Sequence, residues 1–386
     1  MNSRPLMWIA LVLVGILVGT LALAACSQDA APTADMQTLE DRALAAEERV
    51  AEMEAKLAQI EASDGGRLAL VKERGKVVCG SNKSVAGFGF IDTNGNTVGF
   101  DIDLCHAVAA AALGDPNAVE FRPLTAAERG PAMQSGELDM MSRNTTWTSS
   151  RNAQWGNFAP TMFYDGQGFM VPKSLGVSNM MELRGARICV QQGTTTELNL
   201  QDFDNQNDMD FEILTFETNT ITNDAYRNEQ CDAMTTDRSG LVSTRAGFAS
   251  PDDHVILAGT ISEEPLGPVV PHGDEQWFDL VSAVMGYIIY AEAFGITSDK
   301  VPTSATGNSE VDRMFGLEGS HGQESMGLSL TAAQDVIRSV GNYGEIYDRH
   351  LTPLGLEREG SRNALWNAAP CTDCPKGGQI YAAPLR

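Results

Sequence analysis

From Arg67 onward, short runs of β-branched and apolar residues alternate with segments of helical pattern, and the alternation occurs twice. In the first series residues 76–79 read as a strand, 102–113 as an alanine-rich helix, 119–121 as a strand, 126–134 as a helix and 138–142 as a strand. The second series begins after Phe169-Met170-Val171-Pro172, with strands at 187–191, 211–215 and 233–236 and helices after Thr194 and over 219–228. Strands separated by helices are joined by crossovers, so each series predicts a small parallel α/β lobe. No self-similar spelling at a period of about 20–50 residues accompanies the alternation, which argues against a solenoid.

Ahead of this lies a segment of different character. Arg4 precedes an uncharged apolar run, 6–25, that ends Leu23-Ala24-Ala25-Cys26-Ser27. A cation, an apolar stretch and small residues predict a secretory signal peptide over 1–25, although a run of about 20 apolar residues is also long enough to span a bilayer. The Leu-Ala-Ala-Cys spelling favours the first, because it resembles the bacterial lipoprotein box, in which the cysteine is diacylated and becomes the mature N-terminus. Cys26 is therefore the expected lipidation site, anchoring the chain to the membrane through its acyl chains. Residues 26–66 then form a lipidated tether and a helix. Met36, Leu39, Ala43, Ala46, Val50, Met53, Leu57 and Ile60 make an a/d heptad seam with charges on the other faces. It reads as a solvated spacer or as a coiled coil making a homo-oligomer through residues 36–62, the two alanines weakening the second reading.

The 27 Lys+Arg stand against 51 Asp+Glu, a net charge of −24, which excludes a nucleic-acid partner because phosphate binding needs a concentrated cationic surface. With Cys26 acylated, six of the seven cysteines remain, an even set that suits an oxidising compartment. Sequence order suggests Cys79 with Cys105, Cys189 with Cys231 and Cys371 with Cys374. The last pair, in Pro370-Cys371-Thr372-Asp373-Cys374-Pro375, could also be a redox motif or half a zinc site. The five histidines offer no matching ligand spacing, so a structural disulfide loop is preferred and no metal is expected.

Catalytic spellings are poor. His106, His254, His272, His321 and His350 are scattered, and Gly87-Phe88-Gly89-Phe90 lacks the glycine spacing of a nucleotide loop. No catalytic residue and no cofactor is expected. Binding chemistry is richer and falls after strands, where open α/β sheets place ligands. Asp139 to Arg151 runs from a strand into Asn144-Thr145-Thr146-Trp147-Thr148-Ser149-Ser150 and an arginine. Gln191-Gln192-Gly193-Thr194-Thr195-Thr196-Glu197 ends a strand at a helix start, where free N–H groups favour an anion. Asp232-Ala233-Met234-Thr235-Thr236-Asp237 ends a strand in a carboxylate. An arginine and helix-terminal N–H groups suit a carboxylate and an aspartate suits an ammonium, so together the three stretches could hold a zwitterion.

In their order, these stretches resemble the polar amino-acid solute-binding proteins of ABC importers, the bacterial extracellular solute-binding protein family 3, over essentially all of 67–386. Gly99-Phe100-Asp101-Ile102-Asp103-Leu104, Leu138-Asp139 followed by Thr146, Thr148 and Arg151, Gln192-Gly193-Thr194-Thr195, and Asp237 closing its strand match the family's pattern. Residues 142–148, Tyr164-Asp165-Gly166-Gln167-Gly168-Phe169-Met170-Val171-Pro172 and Val340-Gly341-Asn342-Tyr343-Gly344-Glu345-Ile346-Tyr347 look like the general L-amino-acid-binding subgroup.

The resemblance implies a bilobal type-II periplasmic-binding-protein fold with a two-strand hinge. The first lobe would span 67–171 plus 266–386 and the second 172–265, with crossovers near 169–172 and 265–270. It implies that Arg151 clamps an α-carboxylate with Thr146 and Thr195, and that Asp237 and the Asn144 carbonyl hold the α-ammonium. Phe88, Glu128, Arg129 and Trp147 are expected by position around the side-chain pocket. Many relatives stack an aromatic ring where this chain has Val85, a loss that fits broad specificity. The implied function is extracytoplasmic capture of L-amino acids and delivery to an ABC permease. An enzyme on the same fold, of the cyclohexadienyl-dehydratase kind, and a ligand-sensing receptor subunit are the alternatives. The former lacks an evident general acid or base.

Overall fold

The computed structural model describes Arg49, residues 66–370 and residues 377–386. The chain divides into units 1–55 and 56–386, and Arg49, helical and exposed, is the described residue of the first. The signal segment, Cys26, the heptad seam, Cys371 and Cys374 lie outside the described residues.

Two five-stranded sheets organise the second unit. The first runs Val119–Pro123, Val77–Ser81, Met140–Met141, Val269–Val270, Asn157–Phe158; the second runs Glu212–Phe216, Arg187–Gln191, Ala233–Asp237, Gln167–Pro172, His254–Ile256. In each the first three strands are parallel, as the helical crossovers require, and the last two pairings are antiparallel. The expectation of purely parallel lobes is thus corrected. The fourth strand of each sheet is the one adjoining a crossover: Gln167–Pro172 leaves the first lobe and Val269–Val270 returns to it, each running against its neighbours.

Between the sheets the chain crosses twice, through the antiparallel pair Phe163–Asp165 and Glu264–Leu266 with Asp165 opposite Glu264. The second crossover runs from this ribbon into Val269–Val270, while the first lies between Asp165 and Gln167, earlier than expected. The apolar run 169–172 is no linker. It pairs with Ala233–Asp237 and His254–Ile256, and Phe169 and Val171 fill the second-lobe core beside Ile188, Val190 and Leu200.

Burial explains the local choices. Val77–Ser81 is buried at all five positions, as strands of covered parallel sheets are. The helix Phe100–Leu113 is apolar nearly all round and packs against Ala332–Val340 and Glu275–Ala293. Its entry needs Gly99, at φ 142°, because a Cβ there would lie 2.2 Å from the Phe88 carbonyl oxygen. Disulfides join Cys79 to Cys105 and Cys189 to Cys231, with Cα separations of 6.3 and 5.7 Å. Both expected pairings inside the lobes are therefore present.

Candidate functional site

The strand Met140–Met141 ends in a turn organised by Asp101, a residue carried on the first turn of Phe100–Leu113. Ser142 Oγ donates to Asp101 Oδ1 at 3.0 Å and the Asn144 N–H donates to Oδ2 at 2.8 Å. Asn144 sits at φ 42°, a left-handed conformation that asparagine tolerates, and its Oδ1 accepts from Asn82 Nδ2 at 2.7 Å. Burial pushes the Asp101 carboxyl up to about 6, against the hydrogen bonds from Asn144 and Ser142.

Three buried guanidiniums surround this turn. Arg143 donates from Nε to the Leu124 carbonyl at 2.9 Å, Arg151 from Nη1 to the Thr146 carbonyl at 3.2 Å, and Arg129 from Nε to the Ala126 carbonyl at 3.1 Å. Arg151 and Arg129 share one indole partner, lying 4.7 and 5.5 Å from the centre of the Trp155 ring. Burial lowers the pKa of Arg151 and brings Arg143 down to about 10. Arg129 is lowered further, by burial and then by the charges of Arg143 and Arg151, with Asp237 opposing.

The second lobe faces these groups with two helix starts. Thr194 caps Thr195–Asn207 by accepting the Glu197 N–H at 3.1 Å, which leaves Thr195 in the first turn. Thr195 Oγ1 donates to Glu264 Oε2 at 3.0 Å and lies 3.3 Å from Thr146 Oγ1 of the first lobe. Asp237 occupies the cap position of Arg238–Ala246 but makes no capping bond. Its Oδ1 is buried and accepts no hydrogen bond from the described residues. Burial and the charges of Asp165 and Glu264 hold its pKa well above the usual carboxylate range, while Arg151 and Arg129 oppose them.

A cleft of ≈ 380 Å³ lies between these surfaces, lined among others by Arg129, Arg143, Asn144, Thr146, Thr195 and Asp237. Besides the two threonines, Arg129 Nη2 to the Gly193 carbonyl at 3.4 Å and Ser243 Oγ to the Ala86 carbonyl at 2.8 Å cross from lobe to lobe. A carboxylate whose Oδ1 has no hydrogen-bond donor among the described residues, facing a wall of guanidiniums, is a dipolar surface suited to a small molecule with both charges. Among the described residues no group of His, Cys, Asp and Glu is arranged to hold a metal.

Five of the expected site residues line this cleft: Asn144, Thr146, Thr195, Asp237 and Arg129. Arg151 stands behind Thr146, on its carbonyl. Phe88, Glu128 and Trp147 are placed elsewhere. Phe88 is 1 % exposed in the first-lobe core, edge-on to Phe100 and Phe163, because the Gly87-Phe88-Gly89 turn directs it inward. Glu128 is exposed and accepts the Thr125 N–H at 2.7 Å, and Trp147 is 48 % exposed and stacks on Phe158. Val85, at the position of the missing aromatic ring, does line the cleft.

The sequence carries a family pattern over most of this unit: residues 77–353 match the bacterial extracellular solute-binding proteins, family 3. The chain belongs to that family. It is 46 % identical over 331 residues to the general L-amino acid-binding periplasmic protein AapJ of Rhizobium johnstonii, covering 84 % of this chain and 94 % of that one. To the glutamate/glutamine/aspartate/asparagine-binding protein BztA of Rhodobacter capsulatus it is 44 % identical, covering 82 % and 92 %. Among solved structures, a periplasmic binding protein of an ABC transporter from Brucella ovis with glutathione bound superposes with a TM-score of 0.77 at 42 % identity, over 83 % of this chain and 99 % of that one.

As a family 3 protein, the chain has its cleft where the two lobes face each other beside the hinge. Several residues that build it carried no sequence signal. Glu264 is a lone carboxylate in the second crossover, yet it holds Thr195, Asn199 and Ser262. Trp155 could have been found, since it follows Arg151 by four residues, the spacing that stacks side chains on a helix.

Proposed function

We propose that this protein captures L-amino acids outside the cytoplasm, with broad side-chain tolerance, and delivers them to an ABC-type permease. Asp237 supports the reading most strongly: its buried Oδ1 has no hydrogen-bond donor among the described residues, and an α-ammonium supplies one. The α-carboxylate then meets Thr146, Thr195 and the field of Arg151 and Arg129, whose planar forks suit a carboxylate better than lysine does. The Asn144 carbonyl assists at the ammonium. Relatives named as amino-acid-binding proteins fit capture rather than turnover, and Val85, which lines the cleft where many relatives place an aromatic ring, fits breadth.

Titration calorimetry of the mature protein against the common L-amino acids tests this. Asp237→Ala or Arg151→Ala leaves one ligand charge desolvated and unpaired, so affinity should fall roughly 10²-fold or more. Binding of the best ligand by both variants within about threefold of wild type would sink the clamp.

In the same reading Cys26 carries the lipid that holds the protein at the outer face of the membrane. The heptad segment spaces the lobes from that surface or pairs copies of the chain, and Cys371–Cys374 closes a small loop. No helix among the described residues is long and apolar enough to cross a membrane. Cys26→Ser should abolish acyl labelling, and a membrane-purified chain that still starts at Met1 would overturn the anchor. Equal monomer masses for chains beginning at Gln28 and at Arg67 would leave the helix as a spacer.

A further inference from the structure

The cleft is longer than a free amino acid needs. It follows the helix Arg238–Ala246 from Asp237 at its start to Gly247 just past its end, ten steps of about 1.5 Å, or about 15 Å. Thr220, Asn223, Asp224 and Arg227, on the second-lobe helix Asn219–Arg227 whose Ala225 and Tyr226 share a core with Leu241, line the same cavity. Three residues of extended peptide span about 10 Å.

The chemistry of this distal half is that of peptide recognition. Asn223 Oδ1 is buried and accepts no hydrogen bond from the described residues, so it is set to take an N–H. Asp224 and Arg227 form an exposed pair through Oδ1 and Nη2, and the remaining N–H groups of the Arg227 fork are free to meet a terminal carboxylate, at the cost of one net negative charge there. Thr220 and Thr244 add hydroxyls along the walls.

How a ligand can reach this half follows from the other end. Asp237 and the arginines occupy both the α-ammonium and the α-carboxylate, so an ordinary peptide bond, which consumes one of them, does not fit the clamp. Extension has to leave through the side chain.

We propose that the cleft accepts, besides free amino acids, γ-linked peptides: molecules whose first residue keeps its free α-ammonium and α-carboxylate and is lengthened through its side-chain carboxyl. The inference rests on the amino-acid clamp proposed above and adds Asn223, Asp224 and Arg227 as the subsite that reads the extension.

Calorimetry with L-glutamate, the best-binding amino acid, γ-glutamylglycine, glutathione and α-glutamylglycine tests it. The γ-linked compounds should bind and α-glutamylglycine should be weaker than γ-glutamylglycine by at least tenfold, having lost one clamp charge. Arg227→Ala, on an exposed side chain, and Asn223→Ala should each weaken glutathione by about fivefold while leaving the free amino acid unchanged. Amino-acid binding without measurable binding of either γ-linked compound at about 1 mM overturns the subsite and leaves the clamp intact. Equal binding of the α- and γ-linked dipeptides, or equal losses for peptide and amino acid in Arg227→Ala, overturns it too. Failure of every amino acid instead overturns the clamp on which it rests.

Discussion

The side-chain amide of Asn363 pairs with the backbone of Tyr164 in both directions, its Oδ1 accepting the Tyr164 N–H at 2.6 Å and its Nδ2 donating to the Tyr164 carbonyl at 3.0 Å. Tyr164 is the middle residue of the hinge strand Phe163–Asp165. Beside it Arg362 donates from Nη2 to the Asp165 carbonyl at 3.2 Å and pairs with Glu263, next to the other hinge strand. Leu365, Ile380, Ala382 and Leu385 anchor this C-terminal segment in the first-lobe core. Residues beyond the family-matched region therefore brace the hinge from outside the cleft.

Asn363→Ala should cost about 1–3 kcal/mol, since it leaves a backbone N–H and carbonyl of a hinge strand without their partners. Asn363→Asp keeps the acceptor but sets a carboxylate oxygen against the Tyr164 carbonyl in a buried site, so it should cost at least as much. Urea unfolding followed by circular dichroism reads both; an unchanged midpoint for Asn363→Ala would show that the brace carries no stability.

Stability should fall as pH rises through the range of the Asp101 proton. Its carboxyl is held at about 6 in the folded chain by burial, against an ordinary value of 3.8. Below 3.8 both folded and unfolded chains keep the proton and the group contributes nothing. Between 3.8 and 6 the unfolded chain loses it first, so rising pH favours unfolding, and above 6 the deficit is constant, on the order of 3 kcal/mol. Asp165, also pushed up to about 6 by burial, adds in the same direction. Asp101→Asn should flatten the slope of Tm between about pH 4 and 6 relative to wild type. A wild-type Tm that rises across this range while the Asn variant tracks it would contradict the argument.

Removing the second-lobe bridge should destabilise mainly that lobe. Cys189 and Cys231 are 42 residues apart, and cross-links closing loops of such length typically contribute about 2–4 kcal/mol by restricting the unfolded chain. The Cys189→Ser, Cys231→Ser double variant should lose protection from hydrogen exchange in residues 187–191 and 233–237 before residues 77–81. Uniform loss across both lobes would mean that the two unfold as one unit.

How much of this was legible in the sequence depends on the range of the interaction. The alternation from Val77 to Asp237 marked the parallel cores, because strand and helix periodicity is local. The antiparallel fourth strands were not legible, since Gln167–Pro172 and Val269–Val270 each join a sheet through partners that no local pattern names. In the cleft, Asn144, Thr146, Thr195 and Asp237 stood at strand ends and helix starts that the sequence marks. Glu264 and the face Thr220 to Arg227 did not, because their place depends on how the two lobes and two second-lobe helices come together. Phe88 shows the opposite error: proximity in sequence to the hairpin suggested the cleft, whereas its size and apolarity take it into the core.

Trp155 is placed to set the direction of the arginine wall. Its ring carries Arg151 at 4.7 Å and Arg129 at 5.5 Å, two like charges that repel each other and are both attracted to the ring face. Gly130 makes room for it, since a Cβ there would lie 2.6 Å from the indole nitrogen. Trp155→Leu removes both contacts, each worth about 0.5–2 kcal/mol in a partly desolvated setting, and frees Arg151 to turn from its place behind Thr146. Affinity for the best-binding amino acid should then fall by roughly 3- to 30-fold, with the loss in the dissociation rate rather than in association. Gly130→Ala, which displaces the ring without deleting it, should move affinity the same way and alter the tryptophan fluorescence. Trp147→Ala, on a ring that stacks on Phe158 outside the cleft, should leave affinity within about twofold. Wild-type affinity in Trp155→Leu, alongside a large loss in Arg151→Ala, would show that Arg151 is held by the Thr146 carbonyl alone.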